Sequence, residues 1–424
     1  MPPSSPHVRS ARRLAPPLEH QILMTATLCL IAFGAVMVYS ASSPLGALAG
    51  GYGTGEFVVY LIAIAIGLFV MRFCEQYGLR LITPELTRLM LLGSCGLLLV
   101  VLVPGLGRDV AGARRWFAVG PLEFQPSELA KLALVLYAAR YLADNPRRLQ
   151  RDFKQALAPI AVALGPACLL IAVEPDLGTA FVCFATIMTM LAVAGAPNGH
   201  LLRVLLLAAA GVGLMILVHP YELARLTSFL HPLSERTSAG FQATQAQMAV
   251  GSGGLWGVGL AQSVGKMWLP EAQSDFILAV VGQELGTLGI VAVVGLYAMI
   301  AYAGLRTARR AASGYLKLLA FGLTSLILCQ GILNIFVVLG IAPLTGVPLP
   351  FISYAPTNLI VMLASVGLLL GIARPAAREL RLVDDEPANT TWGVSSEQAA
   401  DRGGYRRDRR ARGARVGGSQ AARG

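Results

Sequence analysis

The stretch from Gln21 to Ala41 reads QILMTATLCLIAFGAVMVYSA and holds no charged side chain. A helix needs about 20 predominantly apolar residues to cross a bilayer, so this run is long enough to span one. A cleaved secretory signal has an apolar core of only ~7–15 residues, so an uncleaved first helix is expected despite the small residues Ser40 to Ser43. Similar runs recur along the chain. They fall at about Phe57–Cys74, Leu89–Val103, Ser127–Leu142, Leu157–Val173, Gly178–Ala194, Leu201–Val218, Asp275–Leu305, Leu316–Ile341 and Pro350–Ile372. The eighth is over-long and is expected to be tilted or broken near Gly282 to Gly289.

Composition agrees. Of 424 residues, 55% are hydrophobic and only 13% charged, and mean hydropathy is +0.64. Soluble domains carry roughly a quarter of their residues as charged, so this chain has too little polar surface to cover a water-soluble globule. The fold class expected is all-α integral membrane, with about ten transmembrane helices and one large extracytoplasmic loop between helices seven and eight, at about 219–274. Residues 1–20 form a short N-terminal segment, 21–373 one polytopic domain, and 374–424 a disordered basic tail, rich in Arg, Gly, Ala and Asp and without apolar periodicity.

The net charge of +11 does not point to nucleic acid, because its placement is that of a membrane protein. Arg9, Arg12 and Arg13 precede the first helix, and Arg80 and Arg88 lie between the second and third. Arg147, Arg148, Arg151 and Lys154 follow the fourth, Arg306, Arg309, Arg310 and Lys317 follow the eighth, and the tail is Arg-rich. All fall on one side, so both termini are expected in the cytoplasm of a bacterial inner-membrane protein. Against that rule, Arg108, Arg114, Arg115, Arg225, Arg236 and Lys266 stand on the outer side. The six cysteines lie in or beside apolar segments and read as packing thiols, and the five histidines form no zinc motif.

Three stretches can carry chemistry. Gly112–Lys131, GARRWFAVGPLEFQPSELAK, sets two arginines outside and then re-enters the membrane with Glu128 and Lys131, three apart and hence on one helix face. Pro126 suits the helix's first turn. A helix N-terminus with Arg115 and Lys131 makes an outward anion site better matched to pyrophosphate than to a carboxylate; an interfacial ion pair with Lys131 snorkelling is the plainer alternative. Glu174-Pro-Asp176 puts two carboxylates in an outward turn, where Asp176 can serve simply as a cap. Asp275 stands where the large loop re-enters the membrane, as a helix cap or as a general base at the water–lipid boundary. The glycine-dense Gly251–Gly259 lacks the spacing of a nucleotide loop and reads as a tight turn against the bundle.

In this order, these segments resemble the SEDS family, whose members include FtsW, RodA and SpoVE. The resemblance runs from the first helix to about Arg374. It rests on GARRWFAVGPLEFQPSELAK, EPDLGTA, GFQATQAQMAVGSGGLWGVGL, KMWLPEAQSDFILAVVGQELG and GIAPLTGVPLPFISY. It implies a peptidoglycan glycosyltransferase that polymerises lipid II at the outer face of the cytoplasmic membrane beside a class B penicillin-binding protein, in elongation, division or sporulation. The family's essential aspartate matches Asp275. Its cationic and polar block implies substrate contacts from Arg115, Gln125, Ser127, Glu128 and Lys131, with Lys266 from the large loop. No protein metal site and no certain cofactor are implied, and a divalent cation at the pyrophosphate is left open. Partners implied are lipid II, membrane lipids and the penicillin-binding protein, with no nucleic acid. A flippase of lipid-linked precursor or an inert scaffold are the other classes. The outer-rim position of the charges and the intact Asp275 and Lys131 favour the enzyme. The chain departs from the family pattern at Gln283, usually Glu, at Val258, often Lys or Arg, and at Ala355–Asn358, usually a Gly-Gly-Ser run.

Overall fold

A computed structural model describes residues 17–48, 55–110, 113–119, 122–146, 153–174, 176–218, 227, 229, 239–263 and 269–374. Every apolar run coincides with a helix. These are α1 (Leu18–Leu48), α2 (Gly55–Phe73), α3 (Pro84–Val101), α4 (Pro126–Asp144), α5 (Phe153–Val173), α6 (Leu177–Val193) and α7 (Asn198–Val218). A short helix, α8 (Ala239–Gly253), lies in the large loop. The eighth run is two helices, α9 (Ile277–Glu284) and α10 (Gly286–Arg310), followed by α11 (Gly314–Val338) and α12 (Pro356–Ala373). Six of these are long and apolar enough to cross a membrane by themselves: α1, α2, α3, α10, α11 and α12. The chain is a multi-pass helical membrane protein. Except for Pro17–His20 and Arg374, the expected N-terminal segment and tail lie outside the described residues, as does much of the large loop.

Local chemistry explains the helix ends. Thr83 caps α3 by accepting from Leu86 N, and Asp176 caps α6 by accepting from Thr179 N at 3.1 Å. Proline occupies the first turn of α3, α4 and α12, where its missing N–H would have had no partner. The break between α9 and α10 falls at Leu285–Gly286. Gly286 has φ +68°, and a Cβ there would collide with Leu255 O and Gly257 N. The glycine-dense segment is thus a tight turn laid against this break.

Helices α4, α11 and α12 are buried on nearly every side. The outer helices present bare aliphatic and aromatic side chains, among them Phe69, Leu92, Val162 and Leu207. A soluble protein could not leave such a belt uncovered; lipid tails cover it at no cost. Inside, small residues let backbones approach. A Cβ at Gly367 would strike Met71 O, and one at Gly67 would meet Leu363. That close contact seats α12 along α2 and its continuation, the π-helical turn Cys74–Gly78.

One element went unforeseen in the sequence. Between α3 and α4 lies a three-stranded antiparallel sheet of β1 (Arg108–Val110), β2 (Ala113–Val119) and β3 (Leu122–Phe124), in the order β1-β2-β3. Val119 pairs with Leu122 and Phe117 with Phe124 around the Gly-Pro dipeptide at 120–121, a turn signal in its own right.

Candidate functional site

The site gathers at the end of the bundle where α4, α6, α9 and α12 begin and α11 ends. Glu128 and Lys131 are almost wholly buried, with about 1% of either residue exposed. Lys131 Nζ donates to Glu128 Oε1 at 2.8 Å and to Gln330 Oε1 of α11 at 2.7 Å. Asn358 Nδ2 donates to Glu128 Oε2 at 2.7 Å. Lys131 does not snorkel: its ammonium sits in a closed network, where a charge persists only if paired and hydrogen-bonded. Asn358, one of the departures from the family pattern, completes that network from the first turn of α12.

Above it the sheet meets the α5–α6 turn. Arg115 Nε donates to Glu174 O at 2.7 Å, and Gln125 Nε2 to Asp176 Oδ2 at 3.3 Å. Thr357 Oγ accepts from Gln125 N and donates to Glu123 O at 2.6 Å, tying β3 to α12. Ser127 is fully buried, its hydroxyl without a partner. Glu174 is fully buried too, and both its carboxylate oxygens lack partners. Burial, reinforced by the charge of Asp176 and opposed by Arg115, pushes its pKa up to about 8. Glu174 therefore keeps its proton at neutral pH.

Asp275 is half-buried and precedes α9, which starts at Ile277 with Phe276 in the cap position. Asp275 lines a small cleft with Gln242 of α8, Asn334 of α11 and the Leu344–Val347 segment. Asn334 Nδ2 donates to Asp275 O and to Val347 O, each at 2.8 Å. The segment Leu339–Ala355 is pinned around it. Ser353 Oγ donates to Ser274 O, Tyr354 N to Gln273 O, Gln330 Nε2 to Pro348 O, and Tyr60 OH to Phe351 O. Phe351 sits at φ +67°, a conformation a bulky side chain adopts only when its surroundings impose it.

Gln330 and Asn334 join the two halves of the site, and sequence reasoning missed both. They lie four apart on α11, one above the other. Gln330 holds Lys131; one turn on, about 5.4 Å along the axis, Asn334 holds the backbone of Asp275. Their signal was available: two carboxamides in an otherwise apolar span are expensive unless they have work to do. The structure brings Glu128 and Lys131 together and places Gln125 beside Asp176. It sets Arg115 on the α5–α6 turn instead. Lys266 lies outside the described residues. Gln283 donates to Ser252 Oγ at 3.2 Å, while its neighbour Glu284 is buried and accepts from Ser40 and Ser263. Among the described residues, no group of three or more His, Cys, Asp or Glu is arranged to hold a metal.

Residues 20–378 match the FtsW/RodA/SpoVE family of cell cycle proteins. The chain is 36% identical to the stage V sporulation protein E of Bacillus subtilis over 359 residues, covering 83% of this chain and 96% of that one. It is 35% identical to a probable peptidoglycan glycosyltransferase FtsW of Geobacter, over 83% and 95% of the two chains. Among solved structures it is similar to a chain of a peptidoglycan synthase complex that coordinates polymerization and crosslinking, with a TM-score of 0.69, 28% identity, and 85% and 98% coverage. It is also similar to the rod shape determining protein RodA of Thermus thermophilus, with a TM-score of 0.61, 28% identity, and 85% and 97% coverage.

Proposed function

This chain belongs to the FtsW/RodA/SpoVE family and is a peptidoglycan glycosyltransferase of cell-wall synthesis, and we propose that it polymerises glycan strands from lipid II with Asp275 as general base. The observation that carries this reading is the juxtaposition along α11: the backbone of a cleft-lining aspartate and a buried lysine are held by two carboxamides one helical turn apart. Glycosyl transfer needs both kinds of group. An acceptor sugar hydroxyl attacks the donor's anomeric carbon. Its proton passes to Asp275, a new C–O bond forms, and the old C–O bond breaks with its electron pair leaving on the pyrophosphate.

Arg115, Gln125, Ser127, Glu128, Lys131 and Lys266 make up the donor side in this reading. Lys131 has three N–H donors, and two are taken by Glu128 and Gln330. The third serves a phosphate oxygen when the bundle opens at this end. The one-sided loop arginines support a reading in which that end lies outside the cytoplasmic membrane and both termini inside. A cysteine at the exposed Gln262 is therefore expected to react with an impermeant label from outside, and one at Gly403 to stay unlabelled; the reverse pattern overturns the orientation. The kinship with a chain from a synthase complex supports a class B penicillin-binding protein as partner.

The deciding experiment is polymer formation from lipid II, read on gels, by purified Asp275→Asn protein beside the wild type. Asparagine keeps the shape but accepts no proton. General-base catalysis contributes ~10²–10⁴-fold, so a loss in that range with unchanged folding is expected. Near-normal polymer would sink the assignment.

A further inference from the structure

The cleft that Asp275 lines has polar side chains on its other walls: Gln242, Asn334 and Thr345. Two of these residues carry buried oxygens without a partner among the described residues, Asn334 Oδ1 and Thr345 Oγ. Flipping the Asn334 carboxamide does not relieve the first. Its other end donates to two carbonyls, Asp275 O and Val347 O, and only an NH₂ can do that. The acceptor oxygen is thereby fixed, unsatisfied, in a residue only 1% exposed. Buried polar atoms almost always find partners, and each exception calls for a ligand, a water or a strain to explain it.

The chemistry of the two orphans narrows what satisfies them. Neither is charged. Asn334 Oδ1 only accepts, and Thr345 Oγ both donates and accepts. A phosphate offers no donor to Asn334 Oδ1, and a hydrocarbon offers nothing to either. A saccharide ring carries adjacent hydroxyls that donate and accept alternately, and it suits a wall of carboxamide, hydroxyl and carboxylate.

We infer that Asn334 Oδ1 and Thr345 Oγ, with Gln242 beside them, form a neutral subsite for the acceptor saccharide. They bind the ring substituents next to the attacking hydroxyl and aim that hydroxyl at Asp275. This inference rests on the glycosyltransferase reading and adds to it the residues that read the acceptor. It also explains why Asn334 is tied to the Asp275 backbone. One side chain then fixes both the base and the sugar the base acts on, so their separation does not depend on a mobile loop. Glycine at 346 takes φ +69°, and its Cβ position would lie in ordinary contact with Asp275 Oδ2 at 3.5 Å, so this wall runs directly beside the carboxylate.

Thr345→Val tests this, because it removes the hydroxyl and keeps the shape. Thr345 Oγ makes no bond among the described residues, so the thermal midpoint of Thr345→Val in detergent is expected to equal or exceed that of the wild type. Polymerisation from lipid II below saturation is expected to fall about 2- to 12-fold, the worth of one ordinary hydrogen bond. Thr345→Ser should recover most of that loss. Wild-type polymerisation by Thr345→Val, or a loss that comes with a lowered midpoint and that serine does not restore, would overturn the subsite while leaving the glycosyltransferase reading intact. Absence of polymer from the wild type itself would overturn both.

Discussion

The two ends of the bundle surround their buried carboxylates differently. At the end where both termini of the membrane domain emerge, each buried carboxylate has more cations than it needs. Glu75, in the π-helical turn, accepts from His20 at 2.9 Å and Arg72 at 2.7 Å, and also from Arg374. Glu19 is met by Arg306 at 2.6 Å and by Arg310. The adjacent residues 19 and 20 thus clasp the last turn of α10, the end of α2 and the exit of α12. At the Asp275 end Glu128 and Lys131 are paired, but both oxygens of Glu174 are unpartnered, as are Ser127 Oγ, Thr345 Oγ and Asn334 Oδ1. A fully paired charge network is a fastening. A network left partly unpaired, at a cost in stability, is where a ligand is expected.

That contrast can be broken experimentally, and the largest effect belongs to Lys131. Lys131→Ala strands Glu128 in the core with only Asn358, and unpairing a buried ion costs about 3–5 kcal/mol, enough to lower the thermal midpoint by several degrees. The sharper variant is the double replacement Glu128→Gln with Lys131→Met. Neutralising both partners at similar volume is often tolerated, so the double variant should regain much of the lost stability yet make no polymer. Recovery of polymer as well would make the pair a fastening like those at the other end.

The next effect is a pH dependence at Glu174. Its folded pKa, about 8, lies above its ordinary 4.5, so the folded chain holds the proton more tightly than the unfolded one. The stability this contributes is fully present below about pH 4.5 and is lost as the pH climbs through about 8. Glu174→Gln, neutral at every pH, should flatten the decline in thermal midpoint across that interval and raise the midpoint on the alkaline side. An unchanged profile would mean that Glu174 is already ionised and satisfied. The smallest effect is expected at the clasp. Glu75→Gln keeps an acceptor but loses the charge, and its Arg partners are partly exposed, so about 1 kcal/mol is the scale. Polymer formation per folded molecule should not change.

Much of this was legible in the sequence. Nine of the ten apolar runs coincide with one helix each and the eighth with two, the break expected near Gly282 to Gly289 falls at Leu285–Gly286, and Pro126 opens its helix as foreseen. Those features are local: hydropathy, a proline's missing donor, a glycine's positive φ. What escaped depends on distant segments meeting. Gln330 and Asn334 read as stray polar residues until Lys131, 199 positions before Gln330 in the chain, and Asp275 are set against them. For Lys131 the sequence left an interfacial ion pair open beside the anion site, because spacing cannot show that Asn358 of α12 meets Glu128. The sheet of Arg108–Phe124 was overlooked because its strands are short and carry charge, and pairing with one another defines them more than any run of apolar residues.

Placing both anchors on α11 has a consequence for motion. A helix bends far less readily than two loops drift apart, so thermal tilting or sliding of α11 carries Gln330 and Asn334 as one body. Lys131 and the backbone of Asp275 are each coupled to that body by hydrogen bonds of 2.7 and 2.8 Å. Their displacements are correlated by construction. Motions that carry α11 as one body therefore leave the spacing of these two hydrogen-bond anchors unchanged.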